Sequence, residues 1–303
     1  MVKKKCFGKL NIALKVTGVS NGYHDLDSVV MSVDKYDVVT VKKRRDDKIL
    51  VTFVGPYAVT PKVQEETNAY KAAKLFKDTF NTRGVDVTVK VNIPTGGGLG
   101  SSSADIAGVL GAMKKLFKVD EDIKPLSDML GSDSGYLLDC GFARLKGRGD
   151  KVERLTSDHK YYFVVIYETS GVLTKDCFAL YDKEFSSTLS TVDCDKVIEG
   201  IINDDLELVS KYAGNDLYLP AIKLNPQIEK NLNALKQLSP LVCGMTGSGA
   251  SCFAMYDHYE MAKWAESKLK KAYGKNVEVV RFYNPDALGV WDKMLGFYPP
   301  NHV

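Results

Sequence analysis

An α+β fold in two units is what this sequence predicts, on three observations. Its 303 residues suffice for two ordinary domains or one large one. β-branched, partly alternating segments are interleaved with segments whose apolar residues recur at helical spacing. From about Val192 the chain turns helix-rich, with strands before and after, as when helices cover one face of a sheet.

Taken in order, residues 37 to 42 (DVVTVK), 49 to 54 (ILVTFV) and 85 to 91 (VDVTVKV) read as strands. Ala69, Ala72, Ala73, Phe76 and Phe80 form the stripe of an amphipathic helix over 69–80. Ile106, Val109, Leu110, Met113 and Phe117 repeat that pattern after a glycine-rich stretch. YYFVVIY (161 to 167) has the length of a buried strand. SCFAMY (251 to 256) predicts another, followed by a helix carrying Met261, Trp264, Ala265 and Leu269 and a strand over 277–282. The polar segment ERLTSDHK (153 to 160) suggests the boundary, giving units 1–157 and 158–303. The tail from about Asn284 has no assignment.

Composition excludes several classes. Hydrophobic content of 45% with 26% charged residues is that of a folded chain, and a net charge of +3 makes no case for nucleic acid. Lys3 to Lys5 and Lys42 to Arg45 read as solvated basic faces. No apolar run nears the roughly 18 residues of a membrane helix. The start, MVKKKCFGKLNIAL, is basic then apolar, but Lys9, Asn11 and Lys15 interrupt the apolar part, so a cytoplasmic location is expected. Six cysteines without CxxC spacing and four unpaired histidines argue for reduced thiols and against structural zinc.

The segment IPTGGGLGSSSADIA (93 to 107) carries the chemistry. A helix start has unsatisfied N–H groups and a partial positive charge, which suit phosphate. Glycines let the backbone approach closely, and serine hydroxyls can bond phosphate oxygens or a magnesium ion. GxxxxGK[ST] and GxGxxG are absent, so it is neither a P-loop nor a dinucleotide fingerprint. A second glycine-rich stretch, CGMTGSGASCFAMY (243 to 256), precedes a strand and could close on a nucleotide from the other side.

These stretches carry a resemblance. Pro94 to Ser102 resembles the central motif of the GHMP small-molecule kinases, MTGSGAS (245 to 251) their third motif, and GKLNIAL (8 to 14) their first. Through Gly22-Tyr23-His24, residues 130 to 152, GVLTKDCF (171 to 178) and GNDL (214 to 217), it is most similar to the 4-diphosphocytidyl-2-C-methyl-D-erythritol kinase family. The resemblance implies an N-terminal domain of ribosomal-protein-S5 domain 2-like type and a ferredoxin-like C-terminal domain. It implies ATP and Mg2+, and phosphorylation of a small-molecule alcohol with no nucleic-acid or membrane partner.

By the same resemblance Asp133 is the base and Lys9 its charge-stabilising partner. Asn11, Tyr23, His24, Thr174 and Phe178 would bind the acceptor, the aromatics its cytosine. Asn68, Pro94, Gly96, Gly97, Gly98, Leu99, Gly100, Ser101, Ser102, Ser103, Gly247, Ser248 and Gly249 would bind ATP, with Ser102, Ser103 and Asp105 as candidates for the metal. On the residues alone, Asp133 reads equally as a turn or cap, Lys9 as a surface-snorkelling lysine, Tyr23 and Phe178 as core aromatics, and Asn68 as an N-cap. The chain departs from that family's pattern at Val30, Val91, Ser134 and Gly135, which marks either a divergent member or an altered acceptor pocket.

Overall fold

The computed structural model describes residues 1–20 and 22–285, so the rest of the tail lies outside the described residues. It opens with a long antiparallel hairpin, β1 (Val2–Ser20) and β2 (Tyr23–Lys43), with irregularities at Phe7/Gly8, Asn11/Ala13 and Val16/Gly18. β3 (Ile49–Val54) and β4 (Val85–Lys90) extend the sheet beyond the second half of β2. β5 (Phe142–Gly147) pairs with the first half of β2, and β6 (Lys151–Leu155) with β5.

One face of this sheet is covered by α1 (Asn68–Phe80), α2 (Ser101–Phe117), α3 (Lys124–Leu130) and α4 (Ser134–Leu137), in a core that includes Val39, Val41, Val87, Phe76 and Leu110. Gly108 sets the closeness of α2, because a Cβ there would lie 2.1 Å from Cys6 Sγ. No larger residue fits.

The other face meets a second sheet made of β7 (Tyr162–Ile166), β9 (Val242–Met245), β10 (Cys252–Tyr256) and β11 (Val277–Arg281), antiparallel throughout in the order β11-β7-β10-β9. Leu10, Ile12, Val29 and Met31 share this middle core with Phe163, Val165, Phe253 and Met255. α6 (Cys194–Asn203) and α7 (Leu206–Tyr212) add Val197, Ile201 and Val209 to it. The far face of the second sheet carries α5 (Thr174–Glu184), α8 (Tyr218–Leu224), α9 (Gln227–Lys236) and α10 (Tyr259–Tyr273). The order of layers is helices, sheet, sheet, helices.

The sequence pattern locates the elements it names, β3, β4, β7, β10, β11, α1, α2 and α10, but underestimates the first hairpin and leaves α3 to α9, β5, β6 and β9 unplaced. β1 has no alternation to read, because Leu10, Ile12 and Ala13 are buried alongside Lys9 and Asn11. β2 starts at Tyr23, not Asp37. The polar segment 153–160 begins as the end of β6, with irregular chain after it. From the second half, β8 (Gly214–Asn215) joins the first sheet, parallel to β1.

Candidate active site

The two glycine-rich stretches, the first hairpin and α5 enclose one cavity of about 760 Å³. Of the expected site residues, Lys9, Asn11, Tyr23, His24, Pro94, Gly96 to Ser103, Asp133, Thr174, Phe178, Gly247 and Ser248 line it. Asn68, Asp105 and Gly249 do not.

The glycine loop is held by its carbonyls. Lys9 N–H donates to Leu99 O (2.9 Å), Ser251 N–H to Gly97 O (3.2 Å), and Thr246 Oγ1 to Gly98 O (3.1 Å). Gly98 has φ +82, and a Cβ there would come within 2.1 Å of Thr246 O, so only glycine allows this contact. With the carbonyls turned to protein donors, no backbone carbonyl among the described residues takes the N–H groups of Gly96 through Gly100. Those groups, together with the start of α2, are donors of the kind that suit an anion. Ser102 and Ser103 stand at that helix start and line the cavity. Ser101 behaves differently, because its hydroxyl donates inward to Asp37 Oδ2 (3.0 Å).

Lys9 is 4% exposed, and its Nζ lies 3.3 Å from Asp133 Oδ2. It does not snorkel. Asp133 occupies the N-cap position of α4, yet its side chain makes no cap hydrogen bond. Asp133 lies in the turn that leads into α4, but its side chain caps nothing and its carboxylate faces the lysine. Gly149 runs close beside it, a Cβ there lying 3.1 Å from Asp133 Oδ1.

Asn11 ties this pair to the second glycine-rich stretch. Its Oδ1 accepts from Lys9 Nζ (2.5 Å), Gly247 N–H (2.9 Å) and Thr246 Oγ1 (3.2 Å), while its Nδ2 donates to Ser28 Oγ (2.8 Å). Little of Asn11 is left to orient an acceptor, so its main contacts are to the machinery itself. On the other side, Asn215 Nδ2 donates to Met245 O (3.0 Å) and Gly247 O (2.8 Å). Gly249 serves the turn, its N–H donating to Thr246 O (3.0 Å).

The far end of the cavity is aromatic and basic. His24 stacks on Phe178 at 4.3 Å between centroids, and its Nε2 lies 2.7 Å from Asp182 Oδ1. Tyr23 is exposed, with the Arg148 guanidinium 5.0 Å over its ring. Tyr23 is thus no core aromatic, and Phe178 already carries the His24 ring on one face. Thr174 Oγ1 sits 3.0 Å from Ser248 Oγ, joining α5 to the third motif. Arg148, Lys175 and Asp182 also line the cavity and are absent from the expected set. Arg148 had a readable signal, the GRG of a tight turn in which Gly147 and Gly149 both have positive φ.

Three expectations are corrected. Asp105 is buried inside the first unit, where burial, and then the charge of Asp37, push its carboxyl well above the usual range. Its Oδ1 has no hydrogen-bond partner among the described residues, and the residue lies off the cavity that Ser102 and Ser103 line. The N-cap of α1 is Thr67, whose hydroxyl accepts from Tyr70 N–H (3.2 Å), with Asn68 one position later. Val30, Val91, Ser134 and Gly135 are all buried away from the cavity; Ser134 Oγ donates to Ser127 O (2.8 Å), within the packing of α3. None of the four positions lines the cavity, which favours a divergent family member over an altered acceptor pocket.

Comparison with known proteins gives a consistent picture. Residues 67–140 match the GHMP kinases N terminal domain, and residues 197–275 match the GHMP kinases C terminal domain. A 4-diphosphocytidyl-2-C-methyl-D-erythritol kinase of Clostridium beijerinckii is 33% identical over 285 residues, covering 92% of this chain and 99% of that protein. One from Clostridium perfringens is 32% identical over 293 residues, covering 95% and 100%. Among solved structures, a 4-(cytidine 5'-diphospho)-2C-methyl-D-erythritol kinase superposes with a TM-score of 0.77 at 22% identity, covering 93% of this chain and 100% of the other. Homoserine kinase from Cytophaga hutchinsonii gives 0.72 at 20% identity, covering 94% and 95%, a likeness of fold.

Proposed function

We propose, for a chain that belongs to the GHMP kinase family and within it to the 4-diphosphocytidyl-2-C-methyl-D-erythritol kinases, that it transfers the γ-phosphoryl group of ATP to a hydroxyl of that cytidyl alcohol. The observation that carries the reading is one cavity holding a carbonyl-anchored glycine loop at one end and the Lys9–Asp133 pair beside it. A binding protein needs no such pair. Phosphoryl transfer needs an anion site, a cation and a proton acceptor in reach of each other.

In this reading the loop N–H groups and the start of α2 bind the nucleotide phosphates. The acceptor hydroxyl attacks the γ-phosphorus as its proton passes to Asp133, and the bond from phosphorus to the β,γ-bridging oxygen breaks to release ADP. Lys9 holds the Asp133 carboxylate in place and offers positive charge to the transferring group. The Ser102 and Ser103 hydroxyls, oxygen donors that suit it, would help to hold magnesium, which would neutralise phosphate charge.

The cytosine end is built from Tyr23, His24 and Phe178, with Asp182 holding the imidazole. Arg148 and Lys175 give the acceptor's diphosphate cationic partners. We divide the chain into units 1–157 and 158–303, with this cavity at their seam. No helix among the described residues is long and apolar enough to cross a membrane, and we place the reaction in the cytoplasm.

An ADP-release assay with Mg-ATP tests the reading, using 4-diphosphocytidyl-2-C-methyl-D-erythritol, mevalonate, homoserine and galactose as acceptors. Turnover with the cytidyl compound alone is expected. Turnover with one of the others would discard the cytosine pocket, and none with any of the four, ATP still bound, would count against a kinase of these alcohols.

A further inference from the structure

Asp37 lies on β2, fully buried, and does not line the cavity. Its Oδ1 accepts from the N–H groups of Asn92 (2.5 Å) and Ile93 (2.8 Å), and its Oδ2 from the Ser101 hydroxyl (3.0 Å). Asn92 and Ile93 lead the chain into the glycine loop, and Ser101 opens the helix in which the loop ends. One carboxylate therefore ties together the entry and the exit of the loop.

The carboxylate's own strand matters as much. Asp37 pairs with Cys6 of β1 and Lys9 with Ser32 of β2, so a single hairpin carries both the tie and the lysine. The loop is fastened to that hairpin a second time, where Lys9 N–H meets Leu99 O. We infer that Asp37 is a positioning residue, which fixes the width of the phosphate-binding loop and its placement against Lys9. The inference rests on the phosphate-loop reading above and assigns that loop its anchor.

A buried carboxylate is costly unless donors satisfy it. Here burial pushes Asp37 up from the usual range, while the Ile93 and Asn92 N–H groups and the Ser101 hydroxyl pull it back. Such a group would be retained against a cheaper apolar core only where something uses its donors. In this fold those donors are the two ends of the loop. Replacing the carboxylate by an amide keeps the shape, since the amide oxygen can still accept from Asn92 and Ile93. It removes the charge and the acceptor for Ser101.

The experiment measures Mg-ATP binding by calorimetry, steady-state constants for both substrates, and thermal midpoints, on wild type, Asp37→Asn and Ser101→Ala. Asp37→Asn is expected to raise the ATP Kd and KM by roughly ten- to a hundredfold, the effect of losing charge-assisted hydrogen bonds, with the acceptor KM unchanged. Ser101→Ala, which cuts one arm only, should raise the ATP constants by a smaller factor, and it keeps the test usable if Asp37→Asn does not fold. A merely structural carboxylate would lower the thermal midpoint and the active fraction without separating the two KM values, and that result overturns the inference. So does wild-type ATP binding in both folded variants. Wild-type protein that binds no nucleotide would instead overturn the phosphate-loop reading, and the inference with it.

Discussion

Asp133 and Lys9 show how little a residue's identity says until its neighbours are known. An aspartate in LGSDSGY is a reasonable turn residue and a lysine before an apolar run a reasonable snorkelling one. In the fold the aspartate caps nothing, and the lysine is buried within 3.3 Å of it. Asp133→Asn keeps shape and loses the proton acceptor together with the charge that pairs with Lys9. We expect kcat to fall by about 10² to 10⁴ with the ATP Kd close to wild type, the scale on which a general base contributes. Single-turnover rates with nucleotide titration decide this, and full turnover in a folded Asp133→Asn protein would remove the base assignment.

At the scale of elements, α2 does two things at once. Its first turn presents Ser102 and Ser103 to the cavity, while the next turn buries Asp105 in the core beside Cys6 and Asp37. The Asp105 carboxyl is raised well above its ordinary 3.8, first by burial and then by Asp37. A group raised in this way contributes stability fully present below its unfolded value and lost as pH climbs through the folded one. Asp105→Asn should therefore be relatively more stable than wild type as pH rises from 5 to 9. The difference should grow by at most about 1.4 kcal/mol per pH unit. Urea unfolding across that range tests it, and parallel pH profiles for the two proteins would show that Asp105 is not the titrating group.

For the whole molecule, the cavity exists only because two sheets from different parts of the chain meet face to face. The short strand β8 crosses from the second half to pair with β1, and Asp216 accepts from Val16 N–H (2.9 Å) while Asn215 holds the third motif. Asn215→Ala would leave two carbonyls and the Leu217 N–H without their partner. Each uncompensated group costs about 1–3 kcal/mol. We expect a lower thermal midpoint together with weaker nucleotide binding, because Gly247 is gripped by Asn11 and Asn215 from opposite sides. Melting curves and ATP titration check both effects, and a stable variant binding ATP like wild type would show that β8 does not hold the third motif.

Local pattern alone settled the α+β class, the stripes of α1, α2 and α10, and the glycine loop at a helix start, because periodicity and backbone freedom are properties of short segments. The motif resemblance added the identity of most of the cavity's residues. Tertiary structure decided what local pattern could not carry. β1 and the first half of β2 have no readable alternation, since both of their faces are covered and polar groups sit within them. Asp37 looks like any polar residue at a strand start until the fold brings Asn92 and Ser101 to it. Asp105 looked like a metal ligand because it follows the serines, and one turn of helix put it in the core. Arg148 and Asp182 reach the cavity from segments more than a hundred residues from Tyr23 and His24. Which of many equivalent carboxylates, lysines and hydroxyls face one another is a property of chain packing, and no local window of sequence contains it.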